Sequence, residues 1–367
     1  MKVMSVIGTR PEAIKMAPVI LRLQETAGIR SVVVTTGQHR EMVADLLPFF
    51  GIRPDQDLDV MQEAQSPAGV AAAIFQRLSP VVERERPDWL LVQGDTTTVM
   101  AAALVAFWTR VKVGHVEAGL RTGDKAQPFP EEMNRRIASV VADLHFAPTE
   151  SARQNLLREN VTPGSIHVTG NTVIDALRWT AARVGERPGG GGAYPAERLL
   201  LITAHRRENW GAPLESICAA IADLARAYPD DLRIVYPVHL NPRVKNTVYP
   251  LLGGIPNVDL PAPLDYPAFV ALLKQAAVVL TDSGGIQEEA PGLGIPVLVL
   301  RNTTERPEAV EAGTVKLVGT DRTRIVAAVR ELLDDAEAHA RMSKAINPYG
   351  DGHAAGRIVR ILQANTA

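Results

Sequence analysis

Three carboxylic acids stand in short polar clusters between apolar runs: Asp95 in Gln93-Gly94-Asp95-Thr96, Glu117 after Gly114-His115-Val116, and Glu131 in Pro128-Phe129-Pro130-Glu131-Glu132. In the second half of the chain, Thr281-Asp282-Ser283-Gly284-Gly285-Ile286-Gln287-Glu288-Glu289 follows an apolar run. Its paired glycines let the backbone approach a ligand, and free N–H groups at a helix start bind phosphate. Glu289, one helical turn in, can reach the hydroxyls of a ribose. His205 beside Arg206 and Arg207, with Arg306, Arg10 and Lys15, adds groups able to meet an anion. Acids for proton transfer, set against a diphosphate-type site, suggest sugar-nucleotide chemistry: glycosyl transfer, or proton transfer on the sugar.

Each residue also has a structural explanation. Asp95 can cap the helix beginning near Thr97, and Ser283 can cap the one that follows it. Glu131–Arg135 and Glu132–Arg136 are i,i+4 pairs of an ordinary first turn. Arg10 and Lys15 can be solvated cations, His239 a loop-packing side chain, and Phe269 part of a core. Glu117 is less easily explained by capping, because no helix starts directly after it.

The elements around these residues follow one rhythm. Val3 to Ile7, Ser31 to Thr36, Trp89 to Gln93, Val111 to Val116, Leu144 to Ala147 and Ile166 to Val168 read as buried parallel strands of a first half. Leu199 to Thr203, Leu232 to Tyr236, Ala277 to Leu280, Ile295 to Leu300 and Val315 to Val318 repeat the pattern in a second. Polar turns at the carboxyl ends of such strands are where open α/β sheets bind ligands. Arg187-Pro188-Gly189-Gly190-Gly191-Gly192 is the clearest linker. The expected division is therefore an N-terminal Rossmann-like domain of residues 1–184 with the acids and a C-terminal Rossmann-like domain of residues 185–353. After the break Asn347-Pro348-Tyr349-Gly350-Asp351-Gly352, a last helix within 354–367 is expected to pack back on the first domain.

Composition bounds the function. A length of 367 residues is enough for two cores, and a formal net charge of -2 argues against a nucleic-acid scaffold. The single cysteine, Cys218, makes no intrachain disulfide and fits a reducing, cytoplasmic setting. The longest apolar run, Val99 to Trp108, is too short to span a bilayer. No Cys/His metal spacing, P-loop lysine or G-x-G-x-x-G fingerprint is present, so neither a metal nor NAD is expected.

Seven stretches together carry a specific resemblance. They are Gly8-Thr9-Arg10-Pro11-Glu12-Ala13-Ile14-Lys15, Gly37-Gln38-His39-Arg40-Glu41, Gln93 to Thr96, Gly114 to Arg121, Pro128 to Arg135, His205-Arg206-Arg207-Glu208-Asn209 and Thr281 to Pro291. In this order, over nearly the whole chain, they resemble the bacterial, non-hydrolysing UDP-N-acetylglucosamine 2-epimerases. The resemblance implies an α/β, GT-B-like fold of two doubly wound Rossmann-type domains facing a central cleft. It also implies a homodimer, no cofactor, and an isomerase that interconverts UDP-GlcNAc and UDP-ManNAc for cell-envelope polysaccharide. The family's catalytic positions fall on Asp95, Glu117, Glu131 and His205. Its UDP-binding positions fall on Arg10, Lys15, Phe269, Ser283, Gly284, Gly285, Glu289 and Arg306.

Members of the family often hold a second, regulatory UDP-GlcNAc. Gln38, Gln65, Arg206 and His239 keep that pattern, but Ala64 stands where the family commonly has arginine, so one phosphate or sugar contact is missing. Two other readings stand beside the epimerase. One is a hydrolysing relative that releases free ManNAc and UDP. The other is a GT-B glycosyltransferase or silent sugar-nucleotide binder, which has no use for three acids and a histidine.

Overall fold

The computed structural model describes residues 1–37, 45–61, 65–185, 198–304 and 306–366. It consists of two compact units, Met1–Ala176 with Tyr349–Ala367, and Leu177–Pro348. The glycine run Gly189 to Gly192 lies outside the described residues.

The first unit alternates strands and helices: β1 (Lys2–Ile7), α1 (Arg10–Glu25), β2 (Arg30–Thr35), α2 (Leu46–Phe49), β3 (Gln56–Asp57), α3 (Pro67–Glu85), β4 (Trp89–Gln93), α4 (Thr97–Trp108), β5 (Lys112–Val116), α5 (Glu131–Val141), β6 (Leu144–Ala147), α6 (Glu150–Arg158), β7 (Ile166–Val168) and α7 (Thr172–Ala181). The division between the units falls inside α7. All seven strands pair in parallel, in the order β3-β2-β1-β4-β5-β6-β7. Their near-continuous apolar runs follow from burial on both faces, and Val3, Met4, Leu90, Leu91 and Val113 are all completely buried. The order reverses between β1 and β4. At such a switch point the following loops leave on opposite sides of the sheet and open a crevice at the strands' carboxyl ends.

The second unit repeats this plan with β8 (Arg198–Thr203), α8 (Ala212–Ala227), β9 (Leu232–Val235), α9 (Pro242–Leu252), β10 (Val258–Asp259), α10 (Tyr266–Leu273), β11 (Ala276–Thr281), α11 (Gly284–Gly292), β12 (Val297–Val299), α12 (Pro307–Glu311), β13 (Val315–Leu317), α13 (Arg322–Asp334) and α14 (Ala336–Ser343). Six parallel strands run in the order β10-β9-β8-β11-β12-β13, so the switch point lies between β8 and β11. Cys218 belongs to this unit's apolar core with Leu200, Ile221 and Leu280.

The last helix, α15 (Ala354–Ala364), belongs to the first unit and packs against α1. Its amino end is held by Asp175 on α7, which accepts the amides of Ala354 and Ala355 at 3.1 and 2.9 Å. A carboxylate at a helix start satisfies orphan N–H groups and complements the helix dipole. Among the described residues no helix is long and apolar enough to cross a membrane.

Candidate active site

Around the switch point of the first unit, the acids are placed by side chains distant in sequence. Glu117 directly follows β5 and sits at φ +61°. This is the left-handed region, which a non-glycine residue adopts at a cost of about 1–3 kcal/mol. Its buried carboxylate accepts from Lys15 Nζ at 2.5 Å, from Asn171 Nδ2 at 2.9 Å and from Gln93 Nε2. Asp95 Oδ2 accepts from Arg135 Nη2 at 2.5 Å, and the Asp95 carbonyl accepts from Asn134 Nδ2 at 3.0 Å. Burial raises the Asp95 pKa; Arg135 works against that rise and Glu117 adds to it. Glu131 opens α5 and keeps Oε2 buried, without a hydrogen-bond partner among the described residues.

Two further buried groups hold this arrangement. Glu12 accepts from the Gly8 amide at 2.6 Å and from Thr9 Oγ1 at 3.1 Å, both after β1, and from Thr96 Oγ1 at 2.6 Å, after β4. It therefore ties the two loops that part at the switch point. Complete burial pushes its pKa up to about 7, against the lowering effect of these donors. His115 is completely buried on β5 and donates through Nε2 to the Gly94 carbonyl at 2.7 Å. Burial pushes its pKa down to about 4, so the ring is neutral at neutral pH.

In the second unit the loops after β8 and β11 meet through Asp282. Its Oδ2 accepts the amides of His205 and Arg206, each at 2.8 Å, and Asn209 Nδ2 at 3.0 Å. The His205 ring stacks on that of His239, with centroids 5.2 Å apart. Burial lowers the His205 pKa, with Asp282 pulling it the other way. At the start of α11, a Cβ placed on Gly284 would lie 3.5 Å from Arg206 Nη2 and 3.7 Å from Arg306 Nη2. Two guanidinium groups thus stand over the first turn, and Arg306 is fixed by a 2.5 Å bond from Nε to Glu288 Oε1. Helix-start amides beneath paired arginines suit a phosphate group.

The structure groups Lys15, Asp95 and Glu117 with Arg135, Gln93 and Asn171 in one unit. It groups His205, Arg206, Ser283, Gly284, Arg306 and His239 in the other. Arg10 begins α1, Phe269 lies half-buried on α10, and Glu289 lies half-buried on α11. Gln65 is half-buried just before α3, whereas Gln38 and Ala64 lie outside the described residues.

Several structural explanations are corrected. Asp95 does not cap α4: Thr96 does, accepting the Val99 amide, which leaves the Asp95 carboxylate to Arg135. Arg135 turns to Asp95 and to Glu132, at 3.4 Å, and not to Glu131, whereas the Glu132–Arg136 contact is present at 3.5 Å. Ser283 makes no side-chain cap bond, and its amide is taken by Thr281 Oγ1 at 2.9 Å. The free amides are therefore those at the start of α11 itself. His239 is not only a loop filler, because it stacks on His205.

Sequence reasoning does not single out Glu12, Asp282 or Asn171, and it reads Arg135 only as a helical partner of Glu131. For Glu12 a signal existed: Thr9-x-x-Glu12 has the spacing of a capping box, in which the glutamate reaches back to the start of its helix.

Two doubly wound parallel-sheet units, one presenting clustered acids and the other an arginine-flanked helix start, define a sugar-nucleotide enzyme of GT-B-like architecture. Comparison with known proteins agrees. The family model for UDP-N-acetylglucosamine 2-epimerase matches residues 21–363. The chain is 52% identical to the UDP-N-acetylglucosamine 2-epimerase of Escherichia coli (strain K12), over 100% of this chain and 99% of that protein. It superimposes on the UDP-GlcNAc 2-epimerase of Neisseria meningitidis, solved bound to UDP-GlcNAc, with a TM-score of 0.89 and 47% identity, covering 100% of both chains. The glycotransferase of kitacinnamycin, at 16% identity and a TM-score of 0.67 over 100% of this chain and 99% of that one, shares the fold alone. The chain belongs to the UDP-N-acetylglucosamine 2-epimerase family, whose members are isomerases.

Proposed function

We propose that this protein interconverts UDP-GlcNAc and UDP-ManNAc without net hydrolysis, by eliminating UDP and adding it back, to supply cell-envelope polysaccharide. The observation that carries the reading is full-length identity of 52% to the Escherichia coli 2-epimerase. The clustered acids fit the chemistry it requires.

The C2 proton of a glycosyl ring is not acidic, because no carbonyl lies beside it. Cleavage of the C1–O bond places positive charge at C1 and acidifies C2. The C2–H electron pair becomes the C1=C2 bond of 2-acetamidoglucal, the C1–O pair leaves on the β-phosphate oxygen of UDP, and a carboxylate takes the proton. Re-addition reverses these steps with a proton delivered to the opposite face of C2. No redox group is needed. Asp95 and Glu131 are the two C2 proton groups. Desolvation raises the Asp95 pKa, and Glu131 has a buried carboxylate oxygen with no hydrogen-bond partner among the described residues. Glu117, held by Lys15, Gln93 and Asn171, stabilises positive charge on the ring. Arg10, Lys15, His205, Arg306 and the α11 amides receive the diphosphate, Phe269 the base, and Glu289 the ribose.

The protein works as a homodimer in the cytoplasm. Phe107 (59% exposed) and Trp108 (60%) at the end of α4, with Val140 (85%) on α5, offer an apolar face that a second copy would cover. Gln38, Gln65, Arg206 and His239 hold a second, regulatory sugar nucleotide.

The test is incubation with UDP-GlcNAc alone in D₂O, followed through the C1 proton signals by NMR. UDP-ManNAc carrying deuterium at C2 is expected. Free ManNAc accumulating with UDP would replace this reading with the hydrolysing one.

A further inference from the structure

The geometry points to Asp282 as the positioning residue of His205, its second carboxylate oxygen receiving Nδ1–H of the imidazole. This deepens the reading above, because it rests on His205 facing the departing diphosphate.

Asp282 is completely buried at the switch point of the second unit. Its two oxygens have different surroundings. Oδ2 takes all three N–H donors, from His205, Arg206 and Asn209. Oδ1 is buried and has no hydrogen-bond partner among the described residues. His205 Nδ1 lies 3.6 Å from it. Since the His205 side chain is 41% exposed, a small rotation of the ring closes this gap to hydrogen-bond length without repacking the core. An unpaired buried carboxylate oxygen is costly, and that cost favours the closed contact.

Two consequences follow for the imidazole. A carboxylate at Nδ1 fixes the tautomer with Nδ1–H, leaving Nε2 directed away from Asp282. It also supplies a counter-charge when the ring is protonated. The charged and titratable groups facing His205 are Asp282, His239 and Arg206; the last two oppose protonation and Asp282 alone favours it. Asp282 thereby decides whether His205 can meet the diphosphate as a cation.

Asp282→Asn separates this role from anchoring of the loop. The three N–H donors hold the amide oxygen at the Oδ2 position, so the NH₂ group falls at Oδ1 and faces His205 Nδ1. Two-dimensional ¹H–¹⁵N NMR of the imidazole, with and without the substitution, reads the result. The wild type is expected to show the Nδ1–H tautomer, and Asp282→Asn the Nε2–H tautomer with a pKa lower by about one unit or more. The alkaline limb of the pH profile for epimerisation, where a cationic His205 loses its proton, should move down by the same amount. In a double-mutant cycle, Asp282→Asn should add little to the loss in kcat already caused by His205→Asn. An unchanged tautomer and pKa, or additive losses, overturns the assignment in favour of a purely anchoring carboxylate. An Nε2–H tautomer in the wild type overturns it even if the variant does not fold. A wild type that titrates as described but leaves UDP-GlcNAc unchanged refutes the epimerase reading instead.

Discussion

Glu12 Oε1 accepts a 2.6 Å hydrogen bond from Thr96 Oγ1 and joins the loop after β1 to the loop that carries Asp95. The carboxyl is completely buried, and its pKa rises from 4.5 to about 7. The folded state therefore binds a proton that the unfolded state has lost. This contribution to stability is fully present below pH 4.5 and is lost as pH rises to about 7. A shift of this size corresponds to about 3 kcal/mol. Denaturant melts between pH 6.5 and 8 should show stability falling, and Glu12→Gln should remove the fall. A flat wild-type profile over that range would count against a protonated Glu12.

The buried histidines work in the opposite direction. Burial pushes His115 down from 6.5 to about 4 and His145 to about 3. Unfolding at mildly acid pH thus takes up protons. Stability from these rings is fully present above pH 6.5 and is lost as pH falls toward 4. Each contributes on the order of 3 kcal/mol. From pH 4.5 to 6.5 the Glu12 and histidine effects oppose each other. The slope of stability against pH in this window should steepen in Glu12→Gln and flatten when His115→Gln is added.

The Lys15–Glu117 pair, 2.5 Å apart with side chains 19% and 5% exposed, predicts a different failure. Lys15→Met removes the cation that pairs with the buried Glu117 carboxylate. Breaking such a pair costs about 3–5 kcal/mol, read by chemical denaturation. Epimerisation should fall as well, because Glu117 is left without its counter-charge. A variant as stable and as active as the wild type would show that the pair is dispensable.

These partnerships mark what sequence could and could not reveal. Strands at the carboxyl edge were legible because parallel, doubly covered strands are apolar runs ending in polar turns, as β4 does at Gly94-Asp95. The two-residue edge strands Gln56–Asp57 and Val258–Asp259 were not, because they are too short for any periodicity. The polar partners were hidden by distance along the chain. Lys15 meets Glu117 across 102 residues, and Arg135 meets Asp95 across 40. Helical spacing paired Arg135 with its neighbour Glu131, whereas packing of α5 against α4 brings it to the loop after β4. Asp282 was read as part of a turn, since nothing local shows that its donors come from the loop after β8.

Ala64 bears on regulation. An arginine there would add a charge-assisted contact to a second sugar nucleotide, worth roughly 1.5–3 kcal/mol. Ala64→Arg is expected to strengthen activation by UDP-GlcNAc and to make initial rates more sigmoidal in substrate. Strong sigmoidality already present in the wild type, and unaltered by the substitution, would remove the idea.

The two C2 proton groups can be assigned separately. Elimination from UDP-GlcNAc needs a base on one face of C2, and elimination from UDP-ManNAc needs one on the other. Asp95→Asn and Glu131→Gln should each lower epimerisation by about 10²-fold or more while UDP still binds. Their residual chemistry should differ. A variant that keeps the base for one epimer can still form UDP and 2-acetamidoglucal from that epimer, and in D₂O can return deuterium to the same face. One variant should therefore exchange the C2 proton of UDP-GlcNAc without inversion, and the other that of UDP-ManNAc. Bridging-oxygen label in the substrate should scramble into the diphosphate in the same half-reactions, because both depend on C1–O cleavage. If both variants exchange the same epimer, a single group serves both faces and the two-acid mechanism fails. Epimerisation by the wild type with no deuterium at C2 would falsify elimination itself.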